Sequence, residues 1–362
     1  MQNTQYLKLE RLTKVWRNII SQHDFFSREI FRNQNVELKF VGNILGYLED
    51  TSEVIYNFKE TNNRVEKFYS QIGLLQSIYT QQDLIVELLK IFGFNKNELR
   101  LWQDENYKIN RDIRNELIGH PMSYKKKSRG EENEFVSSCL FGYDGDKSNI
   151  TYLKYSKENN FECRVEEHTV SDILLRHERF MSHYLEKILE KIKQEVVVFI
   201  KKLECFNIEI KYTNVEKSLN DIDLYFEIMY SSWKISDKNT LLSILARIED
   251  HDRYKNFINC FLDTLKSTVI DVRAEANEFL DLQNELPSFS DPKKDIKPNN
   301  NVSRAIGKLI DKNNFVLYSN ILKRQCSDNV VVYQELKHME DNLEDDIEYY
   351  TALRLIHKEL DF

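Results

Sequence analysis

The stretch Arg111-Asp112-Ile113-Arg114-Asn115-Glu116-Leu117-Ile118-Gly119-His120-Pro121 reads as a helix with a built-in end. Ile113, Leu117 and Ile118 recur at helical spacing and turn toward a core, which leaves Arg111, Arg114 and Asn115 on other faces. Gly119 suits the left-handed conformation that stops a helix, and Pro121 biases His120 toward extended backbone. His120 is thereby expected at the negative end of the helix dipole, one to two turns beyond Arg114, where the two side chains can share a phosphate.

Upstream of this stretch the chain reads as helices. Leu9, Leu12, Val15, Trp16 and Ile19 recur at helical spacing between Thr4 and Ile20, and a short helix follows from about Asp24. Longer helices are expected from about Val36 to Lys59 and from about Asn63 to Phe92, the second dense in Leu and Ile from Ile72 onward. Gly93 is a natural stop, and Asn97 a natural cap on the approach to the quoted stretch.

Downstream the period changes. Tyr124 to Asn133 reads as a polar loop, followed by short β-prone runs at Phe135 to Phe141, Ile150 to Tyr155 and Phe161 to Val165. Gly142-Tyr143-Asp144-Gly145-Asp146 and Glu158-Asn159-Asn160 are turn chemistry, so a three-stranded antiparallel meander is expected. It either serves as a structural flap or walls one side of a cleft at His120. A helix capped by Thr169 or Ser171 then runs to about Lys202, with further helices over Asn207 to Trp233 and Lys238 to Leu286. The Pro-rich stretch from Pro287 to Asn301 reads as a linker, and a last helical segment spans Val302 to Phe362. The expected fold is mainly α: a helical bundle over residues 1–205 with a β insertion at about 134–168, a helical extension over 206–286, a linker at 287–301 and a C-terminal helical segment over 302–362.

Composition narrows the function classes. With 9 Gly and 4 Pro in 362 residues few breaks are forced, which favours long helices. No run of apolar residues is long enough to span a membrane, and the first residues carry no signal pattern, so a cytoplasmic protein is expected. The net charge of −8 opposes general coating of nucleic acid. Between Lys108 and Arg129, however, Lys108, Arg111, Arg114, Lys125, Lys126, Lys127 and Arg129 face only Asp112 and Glu116. Such a basic island can seat a few phosphates. The five cysteines are scattered and read as reduced thiols. A Gly-rich phosphate loop and a Gly-x-Ser-x-Gly elbow are both lacking, so no cofactor is expected.

The Arg114-Asn115 pair followed by His120 resembles the Rx4-6H signature of the HEPN superfamily. The match covers seven residues and their helical surround. The resemblance implies a helical bundle and a metal-independent endoribonuclease, of the kind found among toxins and anti-phage effectors, with Arg114, Asn115 and His120 in a site shared across a dimer. Arg111, Lys125, Lys126, Lys127 and Arg129 would then line the RNA backbone. An antitoxin or regulatory protein is a further implied partner; no membrane and no metal are implied. Many members carry Tyr two residues after the His, where this chain has Met122, its nearest Tyr being Tyr124. The competing class is therefore a non-catalytic HEPN-like module that binds a protein or nucleic acid.

Two other copies of the pattern occur. Arg17-Asn18 with His23 is the rival, and Arg176 with His183 lies inside a long helical run without a terminator. His251-Asp252 invites comparison with metal-binding His-Asp pairs but reads more simply as part of a charged helix surface, and Cys163, His168, His177 and His183 lack zinc-ligand spacing.

Overall fold

A computed structural model describes residues 4–31, 38–125, 134–142, 147–204, 224, 228–229, 235–281 and 300–360. Its elements are mainly helical, with one small antiparallel sheet, as the sequence pattern requires. The chain divides into two compact units, residues 1–21 with 26–196 and residues 22–25 with 197–362.

The first unit holds α1 (Thr4–Val15), α2 (Asp24–Phe31, from Phe26 onward), α3 (Leu38–Tyr56), α4 (Arg64–Ile91), α5 (Glu105–Arg114) and most of α6 (Val170–Glu204). Helix α4 starts where the Asn63 side chain accepts the amides of Val65 and Glu66, and it stops at Gly93, whose φ of 74° favours glycine. Helix α5 is capped by Asp104, which accepts the Asn106 amide at 2.8 Å. Asn97, expected as that cap, lies instead in the preceding turn, its amide bound to Asn95 Oδ1 at 2.9 Å. Thr169 Oγ1 accepts the Asp172 amide at 3.1 Å and so opens α6, one of the two caps expected there.

The sheet has four strands in the order β1-β2-β3-β4: Met122–Lys125, Glu134–Gly142, Asn149–Ser156 and Cys163–Thr169. The three expected strands are present, the third shifted: Phe161, expected to begin it, sits in the turn with a φ of 57°, and the strand runs from Cys163 to Thr169; β1 is an addition. Tyr124 and Lys125, read as loop, pair with Phe135 and Glu134. Four residues directly after a proline carry no readable alternation, and β1 gains its hydrogen bonds only because β2 returns alongside it. One face of the sheet packs on α4 and α5. Ile150, Tyr152, Cys139 and Phe141 join Leu74, Leu75, Ile78, Ile113 and Leu117 in one buried cluster. Cys139 and Cys163 are free thiols on β2 and β4, with β3 between them.

In the second unit, α7 (Ile235–Ala246) and α8 (Asp252–Asp281) replace the single helix expected over Lys238 to Leu286. The break falls before His251, whose Nδ1 accepts the Arg253 amide at 3.0 Å and so serves as a cap. The C-terminal segment forms α9 (Asn300–Lys308), α10 (Phe315–Gln325), α11 (Val330–Asp341) and α12 (Asp346–Glu359). These four pack around Leu309, Leu322, Leu336, Met339 and Ile356. The expected linker and most of the helix expected over Asn207 to Trp233 lie outside the described residues. Among the described residues no helix is long and apolar enough to cross a membrane.

Candidate functional site

Helix α5 does not end as its sequence suggests. After Arg114 the backbone widens into a π-turn over Asn115–Gly119, closed by the His120 amide donating to Asn115 O at 2.6 Å. Gly119 does not take the left-handed conformation; among the described residues the glycine that does is Gly93. Its role is one of space. A Cβ on Gly119 would stand 2.6 Å from Arg114 Nη1 and 3.3 Å from Asn115 Oδ1, so the guanidinium rests directly on the residue before His120.

A stripe on α4 holds that guanidinium. Gln76 Oε1 accepts from Arg114 Nε at 3.2 Å and from Nη2 at 3.0 Å, while Nη1 donates to Asn115 Oδ1 at 3.2 Å. The group lies 3.9 Å from the Tyr79 ring centre, within cation–π range. Arg111 shares the ring at 4.0 Å and pairs with Asp83 at 2.8 Å. Two guanidiniums are thus drawn to one aromatic ring beside a single compensating carboxylate. A planar guanidinium has five N–H donors, and Arg114 directs three of them to neutral amide oxygens, so capacity for an anion remains.

His120 is exposed, and among the described residues its ring has no hydrogen-bond or ion-pair partner. Pro121 then leads into β1, with Cys139 N–H donating to Pro121 O at 2.8 Å. Glu116 fastens the π-turn to the sheet from the other side: it accepts from Tyr152 Oη at 2.7 Å and from Lys154 Nζ at 2.5 Å. Burial, reinforced by the Glu116 bond, pushes the Tyr152 phenol well above its ordinary range. His168, opposite Ile150 on β4, stacks on Tyr152 with ring centres 5.9 Å apart. Burial lowers its pKa and nearby Arg176 lowers it further, against the opposing carboxylates of Glu166 and Glu116.

Arg114, Asn115 and the backbone of His120 are therefore brought together, with Arg111 alongside on the Tyr79 ring. Lys125 sits at the end of β1, and Lys126, Lys127 and Arg129 lie outside the described residues. Sequence reading missed Gln76, Tyr79 and Asp83. Their spacing of three and four residues along one face of α4 was the available signal. Among the described residues, no cluster of His, Cys, Asp and Glu offers a metal-ligand set.

The other two copies of the pattern are built differently. His23 belongs with the second unit, is 8 % exposed and stacks on Phe199 at 5.2 Å. Arg17, in the first unit, is exposed and reaches Glu49 at 3.5 Å. Arg176 donates from Nε to Asn110 Oδ1 at 3.0 Å, which ties α6 to α5. No family model matches the chain, and no curated protein and no solved structure is similar to it.

Proposed function

We propose that the protein is a metal-independent endoribonuclease of HEPN type, acting through Arg114, Asn115 and His120. One observation carries this reading: the Arg114 guanidinium rests against Gly119 at the same helix end that presents His120 to solvent. Cleavage of RNA by its own 2′-hydroxyl requires removal of that proton, protonation of the departing 5′-oxygen and a cation for the phosphorane. In this reading His120 moves protons, and Arg114, fixed by Gln76 and Tyr79, receives the developing charge. Asn115 positions Arg114 through its side chain and His120 through its carbonyl. The decisive experiment incubates the full chain with total RNA in EDTA. Cleavage is expected; intact RNA that is nevertheless retained by a folded protein would favour the non-catalytic binding module.

The active form in this reading is a homodimer, since one His120 cannot be base and acid at once and a two-fold axis supplies the second. Excess His120→Ala protein, mixed with wild type under subunit exchange, should depress activity below simple dilution. Activity proportional to wild-type protomers would instead give each protomer its own site. The basic stretch contributes phosphate contacts. Neutralising Lys125, Lys126 and Lys127 together should weaken RNA binding and flatten its salt dependence while turnover at saturation changes little. An antitoxin or other restraining partner is implied by the resemblance alone.

A further inference from the structure

The four-stranded sheet buries one face on α4 and α5, and alternation along its strands turns the intervening residues the other way. In an antiparallel sheet with one wet face those outward positions are ordinarily polar. Here many are apolar. Leu140 on β2 lies opposite Leu153 on β3, which lies opposite Val165 on β4. In the adjoining row Met122 on β1 opposes Ser138, followed by Tyr155 and Cys163. Leu140 is 63 % exposed, Val165 61 % and Met122 56 %, so apolar surface runs from one edge strand to the other. Tyr124, two residues beyond Met122, meets Phe135 edge-on at 5.4 Å, and Phe135 stacks on Phe161 at 5.8 Å, which extends the patch at the end of the sheet.

Charge and area select the occupant of this face. Neither row contains a charged residue, and the cations of the same strands, Lys154 and Arg164, pair with each other in the register of the opposite face, beside Cys139. A nucleic acid would need cations here, whereas two copies of a chain of net charge −8 repel least where both surfaces are neutral. A two-fold axis sets such a face against itself, which uncharged apolar rows tolerate. With roughly 150–250 Å² per large side chain, the exposed fractions of Met122, Tyr124, Leu140, Tyr155, Phe161 and Val165 leave about 600 Å² open on each copy. Two such patches bury about 1,200 Å², which reaches the range of specific interfaces.

We propose that this sheet face joins two copies of the chain, the row Leu140, Leu153 and Val165 packing on the same face of the second copy. The two sheets then form a sandwich around a shared apolar layer, with α4 and α5 of each copy on its outer sides. The proposal does not rest on the cleavage reading, because none of the residues assigned to that reaction belongs to either row.

Sedimentation equilibrium of the full chain tests the proposal and should show monomer and dimer exchanging with a dissociation constant on the order of micromolar. Leu140→Glu and Val165→Glu place a charge at largely exposed positions, so each should weaken the dimer about a hundredfold while the circular dichroism spectrum is unchanged. Leu140→Ser, a gentler change should a Glu variant fail to fold, should weaken it about tenfold. Ile310→Glu, exposed to the same degree in the second unit, should leave the dimer intact. The proposal is overturned by a chain that stays monomeric up to about 100 µM, by a dimer that survives both Glu substitutions, or by equal weakening in Ile310→Glu. It is overturned equally by a monomer whose binding of single-stranded RNA is lost in Leu140→Glu, which would give the face to nucleic acid. A dimer through this face that leaves RNA intact would support the proposal and sink the cleavage reading alone.

Discussion

Arg17-Asn18 with His23 and Arg114-Asn115 with His120 have identical spacing, and both stretches widen from an α-helix into a π-turn. The turns differ in register. The first, Trp16–Ile20, begins one residue before its Arg and closes through the Ser21 amide onto Trp16 O at 2.9 Å. The second, Asn115–Gly119, begins one residue after its Arg and closes through the amide of His120 itself. The two chains of residues diverge further past the His. Beyond His23 the chain re-enters a helix at Asp24, and Phe25 and Phe26 are almost wholly buried. Beyond His120, Pro121 steers the preceding residue off helical backbone and β1 begins, which leaves the imidazole at the surface. The downstream residues, more than the shared pattern, determine whether the His meets solvent or a core.

The largest expected effect tests that distinction directly. His120→Ala and Arg114→Ala should each reduce RNA cleavage on the order of a hundredfold or more, with far-ultraviolet circular dichroism unchanged. His23→Ala should leave turnover intact and lower stability by about 2 kcal/mol, because it removes a buried, stacked ring. If His23→Ala abolishes cleavage and His120→Ala does not, the two regions have been assigned the wrong way round.

A smaller effect is expected at Gly119. In Gly119→Ala the new methyl displaces Nη1 of Arg114, a mobile end whose shift costs the fold little but moves the cation relative to His120. Turnover should fall about tenfold, with the unfolding midpoint nearly unchanged. Unaltered turnover would show that the seat made by Gln76 and Tyr79 does not fix the position of Arg114 during reaction.

The mainly helical fold was legible because apolar residues recur at helical spacing across the first two hundred positions and because the period changes near Phe135. The stop at Gly93 and the cap at Thr169 were equally legible, since each arises from local chemistry. The π-turn was not. Asn115 to Gly119 would suit an ordinary α-helical turn, and the widening arises where Glu116 is drawn to Tyr152 and Lys154 on a strand over thirty residues away. Strand β1 was hidden for a related reason: Tyr124 and Lys125 become a strand only when Phe135 and Glu134 arrive to pair with them. The basic character of Arg111 was visible, but its engagement by Asp83 depends on the packing of α5 on α4.

The smallest effect concerns the titration of the buried copy. Burial lowers the His23 pKa, and a hydrogen bond with the Met229 backbone opposes that only in part. The folded state therefore favours the neutral ring. Between about pH 6.5, the ordinary value for an unfolded chain, and the lower folded value, the unfolded chain holds a proton that the folded one lacks. Stability contributed by the neutral ring is present above that window and declines as the pH falls through it, by at most about 1.4 kcal/mol per pH unit. His177 and His357, lowered by burial to about 3 and about 4, act in the same direction, so the whole protein should weaken in mild acid. His23→Phe keeps a ring against Phe199 and removes the titration. Urea unfolding at neutral pH and again near pH 5 should show the variant losing less stability than wild type on acidification. Parallel losses would mean that His23 takes up its proton as readily in the fold as in the unfolded chain. It would then be no core residue, and the contrast between the two copies would lose its basis.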